Sequence, residues 1–275
     1  MRVCLMIEGQ EGVTWDQWRT LASTAERAGF EALFRSDHYE SLDGGANLGS
    51  LDAWSTINAL ATLTTTLRLG TLVSPATFRH PSVLARAATT ADHVSGGRIE
   101  LGIGAGWHEG EHRSFGFPFD TVKDRFDRYT EQVEIVHRSW GDEPFDFRGR
   151  YYALERCDAQ PKPLQKPHPN LILGGRAGPR GAALAARWAD EYNTAFPTVE
   201  EARERRDRVA RACEQAGREM ITFSAMIRLE GTSAELVERL RGLAAAGVER
   251  VMLQHLAHDD LGTVERVGAE VIPAV

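Results

Sequence analysis

Cysteine is scarce in this chain. Cys4, Cys157 and Cys213 are widely spaced, odd in number and never form a C-x-x-C pair. That argues against a disulfide framework and makes a reduced, cytoplasmic protein the expectation. Lysine is scarcer still relative to arginine, with only Lys123, Lys162 and Lys166. The formal net charge of −7 lacks the basic excess of a nucleic-acid surface, so no nucleic-acid partner is expected. No apolar run approaches the length of a membrane-spanning helix. The opening MRVCLMIEG is too short in apolar residues for a signal peptide and reads as a strand, so no membrane partner is expected either. Repeats and low-complexity segments are missing too.

What the chain does have is alternation. Short apolar runs and longer amphipathic runs follow one another from end to end. Strands are expected at 3–9, 32–37, 67–74, 98–106, 170–175, 191–195, 221–231 and 250–256. Helices fall between them, at 14–29, 51–65, 81–97, 123–140, 182–189, 199–217, 233–247 and from about residue 260. Eight strand–helix units in 275 residues fit a (β/α)8 TIM barrel, with a doubly wound open sheet as the alternative. The pattern pauses at 141–169, where Gly141, Pro144, Gly149, Pro161, Pro163, Pro167 and Pro169 punctuate the chain and FDFRGRYYAL suggests a small hairpin. The expectation is one domain, 1–275, with 141–169 inserted between the fourth and fifth units near the active end.

In a barrel the chemistry collects at the C-terminal ends of the strands. There the sequence puts Glu8; Asp37 and His38; Thr71, Leu72, Val73 and Ser74; GAGWHEGEH (104–112); Asn193; and Gln254 with His255. Each has a plainer reading. Glu8 could be solvated loop charge, Asp37 a turn cap and His38 a satisfied loop histidine. His255 reads as structural, His93 likewise, and His80 as a helix start before Pro81. The fifth strand ends in LILGGRAGPRG (171–181), where Gly174, Gly175 and Gly178 alternate with Arg176 and Arg180 before a helix. Bare backbone and positive charge at a helix start suit an anion, although a Gly-rich turn alone would look the same. HEGEH (108–112) matches the H-E-x-x-H zinc-protease pattern, but it follows a strand directly and Gly110 weakens a helix at its centre. A zinc hydrolase is therefore an alternative, and no metal ligand is assigned.

The segments SDHY, LRLGTLVSPATFRHPSVLARAATTADHVSGGR, LGIGAGWHEGEH and ILGGRAGPRGAALAARWADEYN, in this order, resemble the luciferase-like monooxygenase superfamily, and within it the coenzyme F420-dependent oxidoreductases. The resemblance covers essentially the whole chain. It implies a (β/α)8 barrel holding a deazaflavin, with FMN as the alternative cofactor. It also implies a non-prolyl cis peptide at Leu72–Val73 and cofactor contacts from Asp37, His38, Thr71, Leu72, Val73, Gly106, Trp107, Gly174, Gly175, Arg176, Gly178 and Arg180. The implied reaction is hydride transfer with a small organic substrate, with His38 and Glu8 handling the proton and Glu8 the candidate to orient His38. A homodimer is a possible assembly. A non-catalytic flavin-binding protein is the third reading. The chain departs from the sugar-phosphate dehydrogenases of that branch in offering no set of basic residues for a substrate phosphate.

Overall fold

The computed structural model describes residues 1–42 and 48–275. Its frame is a closed barrel of eight parallel strands. In chain order the elements are β1 (Arg2–Ile7), α1 (Trp15–Arg27), β2 (Ala32–Arg35), α2 (Ala53–Ala61), β3 (Arg68–Pro75), α3 (Pro81–Ser95), β4 (Ile99–Gly104), α4 (Glu109–Phe115), α5 (Val122–Trp140), β5 (Phe145–Arg148), β6 (Ala153–Cys157), β7 (Asn170–Gly174), α6 (Pro179–Trp188), β8 (Glu191–Ala195), α7 (Val199–Gln215), β9 (Thr222–Arg228), α8 (Ser233–Ala245), β10 (Arg250–His255) and α9 (Leu261–Arg266). The barrel closes in the order β1-β10-β9-β8-β7-β4-β3-β2. Closure removes the open-sheet alternative.

Local chemistry explains the element limits. Helices α1, α7 and α8 each begin with a reciprocal capping box, Thr14 with Gln17, Thr198 with Glu201 and Thr232 with Glu235. Helix α3 starts on Pro81 and stops at Gly96, whose φ of 70° few residues other than glycine adopt comfortably. His80 caps that helix through Nδ1, as its place before Pro81 suggested. Strand alternation then sorts the core. Val3, Leu5 and Ile7 face the helices, while Cys4 and Met6 face the barrel interior with Phe34, Ile172 and Met252. Both layers are buried, so the strands read as continuous apolar runs rather than alternating ones.

Two local features bear on the site. Between β3 and β4 the register runs from Thr71↔Leu101 to Ser74↔Ile103, so three steps of β3 span two of β4. This bulge lies at Leu72–Val73, whose peptide bond is cis, as the resemblance implied. The partner strand accommodates it with Gly102, where any Cβ would collide with the Thr71 carbonyl. HEGEH does form a helix, contrary to the sequence reading: α4 runs Glu109–Phe115 with Gly110 inside its first turn. Glycine's penalty of about 1 kcal/mol is small enough for tertiary contacts to override.

The insertion 141–169 was expected near the active end. It leaves the C-terminus of α5 and re-enters at the start of β7, and both of these lie at the opposite end of the barrel. A chain that has just completed a helix is back at the strands' starting end, which is why the segment lands there. Its hairpin, β5 against β6, runs along α5, where Glu131 accepts from the Arg150 and Tyr151 N–H groups at 2.7 and 3.0 Å. Its later part is tied to Asp92 of α3 through the Leu164 and Gln165 N–H groups.

Candidate functional site

A cavity of about 980 Å³ opens at the C-terminal ends of the strands. Of the residues singled out from sequence, Glu8, His38, Leu72, Val73, Gly106, Trp107, Gly174, Gly175 and Arg176 line it. Asp37, Thr71, Gly178 and Arg180 do not. A smaller cavity of about 500 Å³ lies between α3 and the insertion, away from the C-terminal ends of the barrel strands.

His38 follows β2 and is the best-defined group in the cavity. Its Nδ1 lies 2.8 Å from Oε2 of Glu111, which is fully buried. Oε1 of Glu111 accepts the N–H groups of Tyr39 and Glu40, so this one carboxylate fixes both the imidazole and the chain beyond it. Burial opposes charge on His38, but the hydrogen bond and charge of Glu111, with Glu8 and Asp37 adding to them, raise its pKa above the ordinary imidazole value. Burial likewise opposes charge on Glu111, yet the bond to His38 and the backbone donors lower its pKa. With Nδ1 committed, Nε2 is the nitrogen left toward the cavity.

Glu8 was the sequence candidate for orienting His38, and that expectation is corrected. Its two oxygens accept from Gln254 Nε2 at 2.6 Å and Gln10 Nε2 at 3.0 Å. Glu111 escaped sequence reasoning because α4 was not foreseen. The signal was inside the quoted HEGEH, read for its histidines instead. His112 itself is engaged by the Thr77 hydroxyl and the His108 carbonyl, at 2.7 and 2.6 Å. Among the described residues no group of three or more His, Cys, Asp or Glu side chains is placed to hold a metal ion.

Asp37 points the other way from His38, as neighbours on an extended chain must. It accepts from Ser74 Oγ at 2.7 Å and Arg79 Nη1 at 2.6 Å, and Trp54 Nε1 donates to the same Ser74 oxygen at 3.1 Å. Thr71 donates to the Gly102 carbonyl at 3.0 Å. Both residues therefore brace the Leu72–Val73 bulge from behind and do not face the cavity.

The glycine turn is also not what its sequence suggested in detail. The Gly175 N–H donates to the Asn193 carbonyl at 3.0 Å and that of Ala177 to the Tyr192 hydroxyl at 2.9 Å. These amides hold β8 rather than an anion. Gly175 has a φ of 144°, and Gly178 begins α6 without a side-chain cap. Arg180 pairs with Asp127 and lies over the Phe126 ring, so it belongs to the outer surface. Positive charge at the cavity comes from Arg176 and from Arg205, a residue the sequence reading missed. Arg205 donates to Thr194 Oγ1 and Glu201 Oε1, each at 2.7 Å. Apolar walls at Leu72, Val73 and Met226, with Arg176 close before an uncapped helix start and Arg205 also at the cavity, suit a planar ring system carrying a phosphate.

The luciferase-like monooxygenase family model matches residues 2–267. The chain belongs to that family. Among similar proteins is the FMNH(2)-dependent dimethylsulfone monooxygenase of Pseudomonas putida, 31% identical over 194 residues, which are 70% of this chain and 52% of that protein. Another is the F420-dependent glucose-6-phosphate dehydrogenase of Nakamurella multipartita, 37% identical over 177 residues, 63% of this chain and 50% of that one. The chain thus spans about half the length of the curated relatives it matches. The family fold is seen again in an F420-dependent secondary alcohol dehydrogenase complexed with an F420-acetone adduct, with a TM-score of 0.87 at 19% identity over 100% of this chain and 98% of that one. The long-chain alkane monooxygenase LadA gives 0.83 at 16% identity, over 99% of this chain and 90% of that one. The family includes both F420-dependent and FMN-dependent members.

Proposed function

We propose that this chain is an F420-dependent oxidoreductase that transfers hydride between the deazaflavin and a small organic substrate. The observation that carries the reading is His38, held through Nδ1 by Glu111, with its pKa raised and Nε2 left toward the cavity. A bound deazaflavin supplies or accepts hydride at carbon and activates oxygen poorly. Hydride transfer to or from a neutral organic molecule leaves one proton to be moved. His38 holds that proton at Nε2, and the Glu111 carboxylate favours the protonated ring. Leu72 and Val73 present an apolar surface against which a ring can be oriented. Arg176 and Arg205, opposite β1, would hold the cofactor's phosphate. FMN, used by the dimethylsulfone monooxygenase, is the competing cofactor.

The test is anaerobic titration with F420 and with FMN, read by cofactor absorbance and tryptophan fluorescence. The expected result is micromolar or tighter binding of F420, about −8 kcal/mol, and clearly weaker binding of FMN. Tight FMN binding with oxygen-dependent turnover would reverse the assignment.

A further inference from the structure

The cavity is electrically divided. In the closed barrel β7 lies four strands from β1 in either direction, so the two face each other across the mouth. The β7–β8 side carries Arg176, with Arg205 beside it paired to Glu201. The β1 side carries Glu8, 8% exposed, and among the described residues Glu8 pairs with no lysine, arginine or histidine. Its partners are neutral amides. The Gly9 N–H donates to Ser36 Oγ, the Ser36 hydroxyl donates to Gln10 Oε1 at 2.5 Å, and Gln10 Nε2 donates to Glu8 Oε2. Gln254 Nε2 holds the other oxygen. Every dipole in this chain points toward Glu8, so neutral donors fix the carboxylate in place, and it makes no direct ion pair although its charge favours protonation of His38 on the adjacent strand.

A buried carboxylate without an ion-pair contact is costly unless further donors reach it. Each oxygen here has accepted one hydrogen bond and has room for another. Both exposed aromatics of the mouth, Trp107 at 62% and Phe196 at 46%, add apolar surface at the rim. We infer that Glu8 sets substrate choice. The substrate is a neutral or cationic organic molecule that donates a hydrogen bond from a hydroxyl or amine to Glu8, and carboxylate- or phosphate-bearing compounds are repelled from this side. The inference rests on the cofactor's occupying the arginine side, as proposed above. It assigns Glu8 to recognition rather than to proton transfer, which stays with His38 on the adjacent strand.

The experiment uses benzylamine, benzyl alcohol and benzoate, which share a ring and differ in charge and donor capacity. Their binding is measured by calorimetry at pH 7, on the protein saturated with F420 and on the protein alone. The expected order is benzylamine, then benzyl alcohol, then benzoate, with at least about a tenfold gap between the first and last, as a charge-assisted hydrogen bond gives. Glu8→Gln, checked by circular dichroism for an unchanged fold, should collapse that gap. Glu8→Asp keeps the charge and should retain the order at lower affinity, which separates charge from shape if the glutamine variant folds poorly. A preference for benzoate in the parent protein, or a gap that survives in folded Glu8→Gln, overturns the inference. If F420 fails to bind but the protein alone shows the order and its loss in Glu8→Gln, the cofactor assignment fails and the role of Glu8 stands.

Discussion

The two ends of the barrel bury charge in opposite ways. At the end where strands begin, Arg250 is 1% exposed and reaches Glu100 at 2.6 Å, Glu191 at 2.9 Å and Glu31 at 2.8 Å. Arg68 adds a second cation on Glu100 at 2.5 Å, and Asn170 bridges Glu100 and Glu191. Burial works against charge on Glu100, but Arg250 and Arg68 hold its pKa down at about 2. Glu191 is pushed upward by its own burial and by Glu100, with Arg250 opposing. Glu31, Glu100 and Glu191 each meet a cation there. At the end where strands finish, Glu8 has neutral donors only, and His38 spends one nitrogen on Glu111 and keeps the other for the cavity. A polar cluster that pairs its charges internally closes the barrel. One that leaves capacity unused is where a ligand finds a partner, and rules broken locally tend to mark function.

That contrast can be broken by substitution. The largest effect is expected from His38→Ala, which should lower single-turnover hydride transfer by about 10²–10⁴-fold at saturating cofactor while leaving the fold intact. If only cofactor affinity falls and the saturated rate is unchanged, His38 is a binding residue and the mouth has been misread. Arg250→Met should do the reverse. Removing the shared cation strands its carboxylates in the interior and should destabilise by about 3–5 kcal/mol in chemical denaturation, with F420 affinity of the folded fraction unaltered. A loss below about 1 kcal/mol, the scale of an exposed pair, would mean that the closed end is not tightly coupled.

Smaller changes sharpen the picture at the mouth. Gly175→Leu places a side chain at a φ of 144° and its Cβ 3.2 Å from the Tyr192 hydroxyl. It should shift the turn that carries Arg176 and weaken F420 binding about tenfold, roughly 1.4 kcal/mol, in absorbance titrations. Equal binding would place the phosphate elsewhere.

The most delicate test is the pH profile of Glu111→Gln. Glu111 raises the pKa of His38, so in the parent protein the protonated acid persists to a higher pH than a free histidine, and the rate of substrate reduction, in which His38 donates, falls as pH climbs through that raised value. Glutamine removes the charge while burial remains, so the limb should move to lower pH. Stability follows the same sign. The contribution from His38 is complete below the ordinary imidazole pKa and is lost as pH rises through the raised one. That of Glu111, whose pKa is lowered, is lost as pH falls through its depressed value. A limb that stays in place would sever the link between the two residues.

Much was legible in the chain itself. The alternation of apolar and amphipathic runs predicted all eight barrel strands, because a parallel strand buried on both faces must be apolar along its length and the helix covering it must not. The strand-end rule then found Glu8, His38, the Leu72–Val73 segment and the glycine turn. What it missed was anything set by direction. Asp37 and His38 are neighbours in sequence, yet one braces the bulge and the other faces the cavity. Arg176 and Arg180 belong to the same turn, yet one lines the mouth and the other reaches outward to Asp127.

The sequence by itself therefore determined the barrel, the order of its strands' chemistry and the family, since these depend on periodicity and on motifs close along the chain. Only the tertiary structure decided which groups act together. It brought Glu111 from α4 onto His38, 73 positions away, and Gln254 from β10 onto Glu8, 246 positions away. It also set Arg176, just beyond β7, and Arg205 of α7 across the cavity from that carboxylate. Hydrogen bonds and charge pairs are fixed by distances of a few ångströms, and once a barrel closes, distance in space no longer follows distance along the chain.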